Sequence, residues 1–117
     1  MFGLFEKEWS YDSVPDMTGK ICLVTGGSSG LGRQSCLELA KKGASVYVIG
    51  RDQKKTMKAI KDIINETSNQ NIHFLKADFM DLESVCAMAD AFLAKDVPLH
   101  LLLNNAGSFH HNLFIFI

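Results

Sequence analysis

Four short runs rich in branched residues, Ile21 to Val24, Val46 to Ile49, Ile72 to Ala77 and Leu99 to Leu103, are separated by stretches of helical periodicity. No other feature restricts the fold as much. Strands that alternate with helices give a β-α-β-α-β-α-β reading, in which each helix is the crossover between two parallel strands. "ICLV" and "VYVI" are apolar at every position, as strands are when helices cover both faces of a parallel sheet. Right-handed crossovers predict the strand order 3-2-1-4, the first half of a doubly wound α/β fold.

The helical stretches declare their inner faces by spacing. Cys36, Leu39, Ala40 and Gly43 recur at i, i+3, i+4 and i+7, and Val85, Met88, Ala89, Phe92 and Leu93 repeat the same period. Met57, Ile60, Ile63 and Ile64 mark a further helix whose other face carries Lys54, Lys55, Lys58 and Lys61; these lysines read as a solvated face. Asn65 to Asn71 is a polar loop returning the chain to the third strand, and Pro15, Asp16 and Gly19 punctuate a turn leading into the first.

A chain of 117 residues with 47% hydrophobic and 21% charged residues suits one globular domain and excludes disorder. The net charge of -1 leaves no basic footprint for nucleic acid, so a small-molecule ligand is favoured. Cys22, Cys36 and Cys86 are odd in number and set in apolar or helical patterns, which reads as reduced core thiols and not as a disulfide frame or metal site. "MFGLFEKEW" is too short and too acidic for a secretory signal, and no run reaches the roughly 18 apolar residues of a membrane span. A cytoplasmic protein without a transmembrane segment is expected.

Between the first strand and the first helix stands "TGGSSGLG", Thr25 to Gly32. A helix start leaves amide N–H groups without intrahelical partners, and the helix dipole adds partial positive charge there. An anion such as a pyrophosphate fits, provided that the backbone turns tightly and carries no Cβ in the way. Gly26 is assigned the turn, Gly30 the close approach and Gly32 the packing of helix on sheet. Ser28 and Ser29 either donate to phosphate or ribose oxygens or bond the local backbone. A second motif, "NNAG" at Asn104 to Gly107, follows the fourth strand. In the order 3-2-1-4 the ends of strands one and four are neighbours, so both motifs meet in the crevice where such sheets bind ligands.

This pair of motifs, with "ADFMDL" at Ala77 to Leu82, resembles the short-chain dehydrogenase/reductase family, nicotinamide-dependent oxidoreductases on a Rossmann fold. The resemblance covers about residues 16 to 108, and "VPDMTGKICLVTGGSSGLG" is similar to its retinol-dehydrogenase-like branch. It implies that Gly26, Gly30, Leu31 and Gly32 line the pyrophosphate, with Ser28 and Ser29 beside them. It further implies that Asp78 bonds the adenine amino group with Phe79 behind it, and that Asn105, Ala106 and Gly107 lie along the adenosine ribose. Each role has an alternative: Asp78 caps the helix opening near Asp81, and Asn104 and Asn105 tie neighbouring strands together. The implied organisation is a lead-in over residues 1–18 and a NAD(P)-binding domain over 19–117.

The end of the second strand, "VIGRD", separates the two nicotinamide cofactors. An acid there accepts from the 2′-hydroxyl of NAD, whereas an arginine accommodates the 2′-phosphate of NADP. Gly50 stands where the acid usually does, and Arg51 follows with a planar, permanently charged fork. NADP(H) is therefore preferred. Asp52 is either the cap of the next helix or a ribose ligand, and Arg33 reads as a solvent-facing helix residue. A domain for S-adenosylmethionine would want an acid at the second strand's end and has no use for "NNAG".

The family's tyrosine proton donor, followed four residues later by a lysine, does not map here: the tyrosines are Tyr11 and Tyr47, with Pro15 and Arg51 four residues on. No catalytic residue is therefore assigned. The expectation is a truncated cofactor-binding half, inactive alone, whose open sheet edge associates with full-length relatives; the alternative is a non-catalytic dinucleotide sensor or dominant-negative partner. After Gly107 the sequence leaves the family pattern, and "LFIFI" is compatible with a strand. Adjacent His110 and His111 do not make a metal site, and His73 and His100 read as structural.

Overall fold

The four runs rich in branched residues form strands that hydrogen-bond into one parallel sheet. The computed structural model describes residues 10–110 and 113–116. Strands β1 (Ile21–Thr25), β2 (Ser45–Gly50), β3 (Ile72–Lys76) and β4 (Leu101–Leu103) lie in the order β3-β2-β1-β4, with Cys22 opposite both Val46 and Leu101. The crossovers are α1 (Gly30–Lys41), α2 (Gln53–Thr67) and α3 (Leu82–Leu93). The predicted order holds, and the fold is a Rossmann-type doubly wound sheet. A separate antiparallel pair, β5 (Gly107–His110) and β6 (Leu113–Phe116), follows. The strand expected in "LFIFI" is β6; His111, Ile117 and "MFGLFEKEW" lie outside the described residues.

Alternation along β1 divides the core in two. Cys22 and Val24 face one way, with Val46 and Val48 of β2, and pack under Cys36, Leu37 and Ala40 of α1 and Ile60 and Ile63 of α2. Leu23 and Ile49 face the other way and meet Leu75, Ala77 and Phe92 of α3. Full burial of each branched side chain contributes about 1.5–3 kcal/mol, which is what holds helices on both faces.

Several sequence expectations shift. On α2 the buried stripe is Thr56, Ala59, Ile60 and Ile63, while Met57 is 46% exposed; the helix is turned so that Thr56 sits beneath the end of β2. On α3 only Phe92 is buried, and Ala89, Leu93 and Cys86 are exposed. The helix packs on the sheet through one narrow line, with no element over its outer side among the described residues. Cys86 is therefore a surface thiol and not a core one, whereas Cys22 and Cys36 are buried.

Gly43 is not part of the helical stripe either: α1 ends at Lys41, and Gly43 takes a φ of +88° while donating to the Ala40 carbonyl, the left-handed end that stops a helix. The loop after α2 starts later than Asn65, because the helix runs to Thr67 and closes on Ser68 at φ 61°. Asn69 then anchors the loop, its side-chain amide donating to the carbonyls of Ala40 and Ala44 at 3.1 and 2.8 Å. β4 begins at Leu101 and not at Leu99, and His100 bridges in its place, its N–H donating to Ile21 O and its Nδ1 accepting from Ile21 N at 2.9 Å. No helix among the described residues is long and apolar enough to cross a membrane.

Candidate functional site

The ends of β1 and β4 are locked together by one hydroxyl. Thr25 is buried, and its Oγ1 accepts from the N–H groups of Asn105 and Ala106, both at 2.9 Å. This brings "NNAG" onto the glycine turn. Gly26 turns there at φ +67°, and a Cβ on it would stand 2.9 Å from the Ala106 Cα. A Cβ on Gly32 would collide with the Gly26 carbonyl oxygen and lie 2.5 Å from the Asn105 side-chain nitrogen. Gly27 is as confined, with Val48 Cγ1 at 2.6 Å and Cys36 Sγ at 2.9 Å from its would-be Cβ. Gly30, at φ +60°, faces open space.

Ser29 is the N-cap of α1 but makes no side-chain cap bond. The amides of the first turn thus keep their donors for an external acceptor. Ser28 and Ser29, just ahead of that turn, border a cleft of about 370 Å³ at the C-terminal end of the sheet. Of the residues expected at a nucleotide site, Gly26, Ser28, Ser29, Arg51, Asp78, Phe79, Asn105 and Ala106 line it. Gly30, Leu31 and Gly32 belong to the helix start behind, with Leu31 80% exposed, and Gly107 opens β5.

The alternative roles sort themselves by geometry. Asp52 caps α2, its carboxylate accepting from Lys55 N at 3.1 Å. Asp81 caps α3, accepting from Glu83 N, so Asp78 is not the cap; its Oδ1 accepts from Met80 N at 3.0 Å and its own N–H donates to Ser84 Oγ at 2.9 Å. Asn105 ties the turn after β1 to the segment after β4, its amide donating to Gly26 O at 3.4 Å, while also lining the cleft. Arg33 is half-buried and pairs with Asp62 of α2 at 3.7 Å. Arg51 is exposed at the cleft's edge.

Sequence reasoning missed Thr25 and Gly27, and also Ile49, Ala77 and Met80 in the lining. A hydroxyl residue ending an apolar strand just before the glycines was the available signal for Thr25. Beneath the turn, burial pushes the Cys36 thiol up to about 12, with Cys22 adding to the effect, so it stays protonated and inert. No group of three or more metal-ligating side chains occurs among the described residues.

The profile of the short chain dehydrogenase family matches residues 20–115. The chain belongs to that family. An uncharacterised oxidoreductase of Schizosaccharomyces pombe is 48% identical over 105 residues, covering 90% of this chain and 31% of that protein. Human retinol dehydrogenase 11 is 41% identical over 95 residues, covering 81% and 30%. The chain thus spans about a third of the length of these relatives. Among solved structures, a Pseudomonas aeruginosa RhlG/NADP active-site complex superposes with a TM-score of 0.72 at 28% identity, covering 80% of this chain and 35% of that one. The NADP-bound N-domain of bacterial malonyl-CoA reductase superposes with a TM-score of 0.74 at 29% identity, covering 81% and 18%.

Proposed function

We propose that this chain is the nicotinamide-dinucleotide-binding part of a short-chain oxidoreductase acting on a carbonyl or alcohol substrate, with NADP(H) preferred over NAD(H). The carrying observation is the cradle itself: first-turn amides of α1 left uncapped by Ser29, beside a turn at Gly26 where a Cβ would strike the Ala106 backbone. Such a surface suits a diphosphate. Asp78 and Phe79 would hold the adenine, and Asn105 and Ala106 the adenosine ribose. Arg51, exposed at the cleft's edge, would meet the 2′-phosphate with a bidentate fork. When bound, the nicotinamide would supply or accept a hydride. This chain's own residues bind and orient the dinucleotide, and they form the domain assigned to residues 19–117.

Loss of a charge-assisted contact of this kind costs about 1.5–3 kcal/mol. Arg51→Ala is therefore expected to weaken NADPH roughly ten- to a hundredfold while leaving NADH nearly unchanged. Calorimetry with NADPH, NADH and S-adenosylmethionine tests both statements. Equal NADPH affinity in the variant overturns the assignment of Arg51, and a preference for S-adenosylmethionine overturns the whole reading.

A second reading, that the chain pairs with longer relatives as a non-catalytic partner, draws on the edge strand. β4 closes the described sheet with Leu101 36% and Leu102 50% exposed, an unprotected apolar edge that favours association. Co-purification with a full-length relative supports it, and a purely monomeric chain counts against it.

A further inference from the structure

Gly50 ends β2 and lines the cleft, yet the reason it is glycine lies behind it. A Cβ at this position would stand 2.5 Å from Oγ1 of Thr56, with Cβ and Cγ2 of the same threonine at 3.6 and 3.7 Å. Thr56 has little freedom to retreat. It is fully buried, and its hydroxyl donates to Asp52 O at 2.7 Å. A branched side chain in a helix has few rotamers, and turning the hydroxyl away from Asp52 would leave it unpaired in the core. The same turn engages the neighbouring acid: the Asp52 carboxylate accepts from Lys55 N at 3.1 Å, and its carbonyl accepts from the Thr56 N–H at 3.0 Å as well as from the hydroxyl.

We propose that Thr56 is a specificity-determining positioning residue: by filling the space beside Gly50 it bars a carboxylate from the end of β2 and so selects a 2′-phosphorylated dinucleotide. The inference rests on the nucleotide-binding reading above and goes further. Arg51 supplies affinity for the phosphate, whereas Thr56, from the interior, keeps the usual acceptor of a free 2′-hydroxyl out of the end of β2. An acid at position 50 is the usual acceptor for that hydroxyl, and here it has no room until Thr56 is cut back.

The test uses the 117-residue chain with Gly50→Ala and Gly50→Asp, each combined with Thr56, Thr56→Ser or Thr56→Ala. Thermal unfolding and calorimetric affinities for NADPH and NADH are the readouts. With Thr56 in place, Gly50→Ala is expected to lower the melting temperature. Thr56→Ala recovers most of the loss, and Thr56→Ser, which keeps the oxygen, does not. Gly50→Asp is expected to move the NADPH-to-NADH affinity ratio toward NADH by roughly tenfold or more only when combined with Thr56→Ala. Gly50→Ala as stable as the parent, or Gly50→Asp favouring NADH with Thr56 present, overturns the proposal. Should Gly50→Asp not fold beside Thr56, the alanine pair still reads the clash and the Gly50→Asp/Thr56→Ala chain still reads selectivity. A parent chain that binds neither dinucleotide overturns the nucleotide reading and the selectivity with it, while the stability comparison reports separately whether Thr56 excludes a side chain.

Discussion

Replacing Thr25 by valine keeps the shape of the side chain and deletes one oxygen. That oxygen accepts two backbone N–H groups, from Asn105 and Ala106, each at 2.9 Å, and sits in a residue only 3% exposed. Its donation toward Leu103 O, at 3.5 Å, is long enough to count for little. An amide left without an acceptor costs about 1–3 kcal/mol when buried. Asn105 and Ala106 are half-buried, so water relieves part of that, and about 1–1.5 kcal/mol, the low end of the range, applies to each. Thr25→Val should then cost about 2–3 kcal/mol, a large share of the roughly 5–15 kcal/mol of an ordinary domain. With a urea slope of about 2 kcal/mol per M, the midpoint falls by roughly 1–1.5 M. Thr25→Ser keeps the acceptor and loses a buried methyl, about 1 kcal/mol. Urea unfolding followed by circular dichroism compares the two. A valine variant as stable as the serine variant would refute the role given to the hydroxyl.

Gly32→Ala is expected to cost about 1–3 kcal/mol through overpacking and to weaken NADPH, because its Cβ meets the Gly26 carbonyl and the Asn105 amide; unchanged melting and affinity would contradict this. Thiol labelling of the folded chain at pH 8 should reach exposed Cys86 and spare buried Cys22 and Cys36, as peptide mapping will show. Cys36, raised from an ordinary 9.0 to about 12, holds its proton longer in the folded state than in the unfolded one. The stability that this linkage contributes is complete below pH 9 and lost as pH rises from there toward 12, by up to about 1.4 kcal/mol per pH unit for the one proton. Cys36→Ala should flatten that fall in urea titrations across the range, and an unaltered slope would reject the cause.

The sheet was legible because its two central strands carry runs that are apolar at every position and its helices are amphipathic, so burial and connectivity point to one topology. The cleft was legible for the same reason, since the strand order alone puts the glycine turn beside Asn104 to Gly107. What escaped was set by contacts between elements distant in sequence. Thr25 matters because amides some eighty residues away lack another acceptor, and no local pattern announces that. Gly27 and Gly50 are defined by what packs against them, Val48 and Cys36 for one and Thr56 for the other. The facing of α2 was misjudged because a threonine, not Met57, was the residue that the end of β2 could accommodate. On α3, Leu93 and Ala89 keep the apolar period but find no second surface to bury against among the described residues.

Binding of a diphosphate by the main-chain amides opening α1 is read most directly by amide NMR on labelled chain during NADPH addition. The largest shifts are expected at Gly30, Leu31 and Gly32, with smaller ones at Arg51 and at Asp78 to Met80. No change at the three first-turn amides while NADPH saturates the chain, or changes confined to the lysine face of α2, would contradict it.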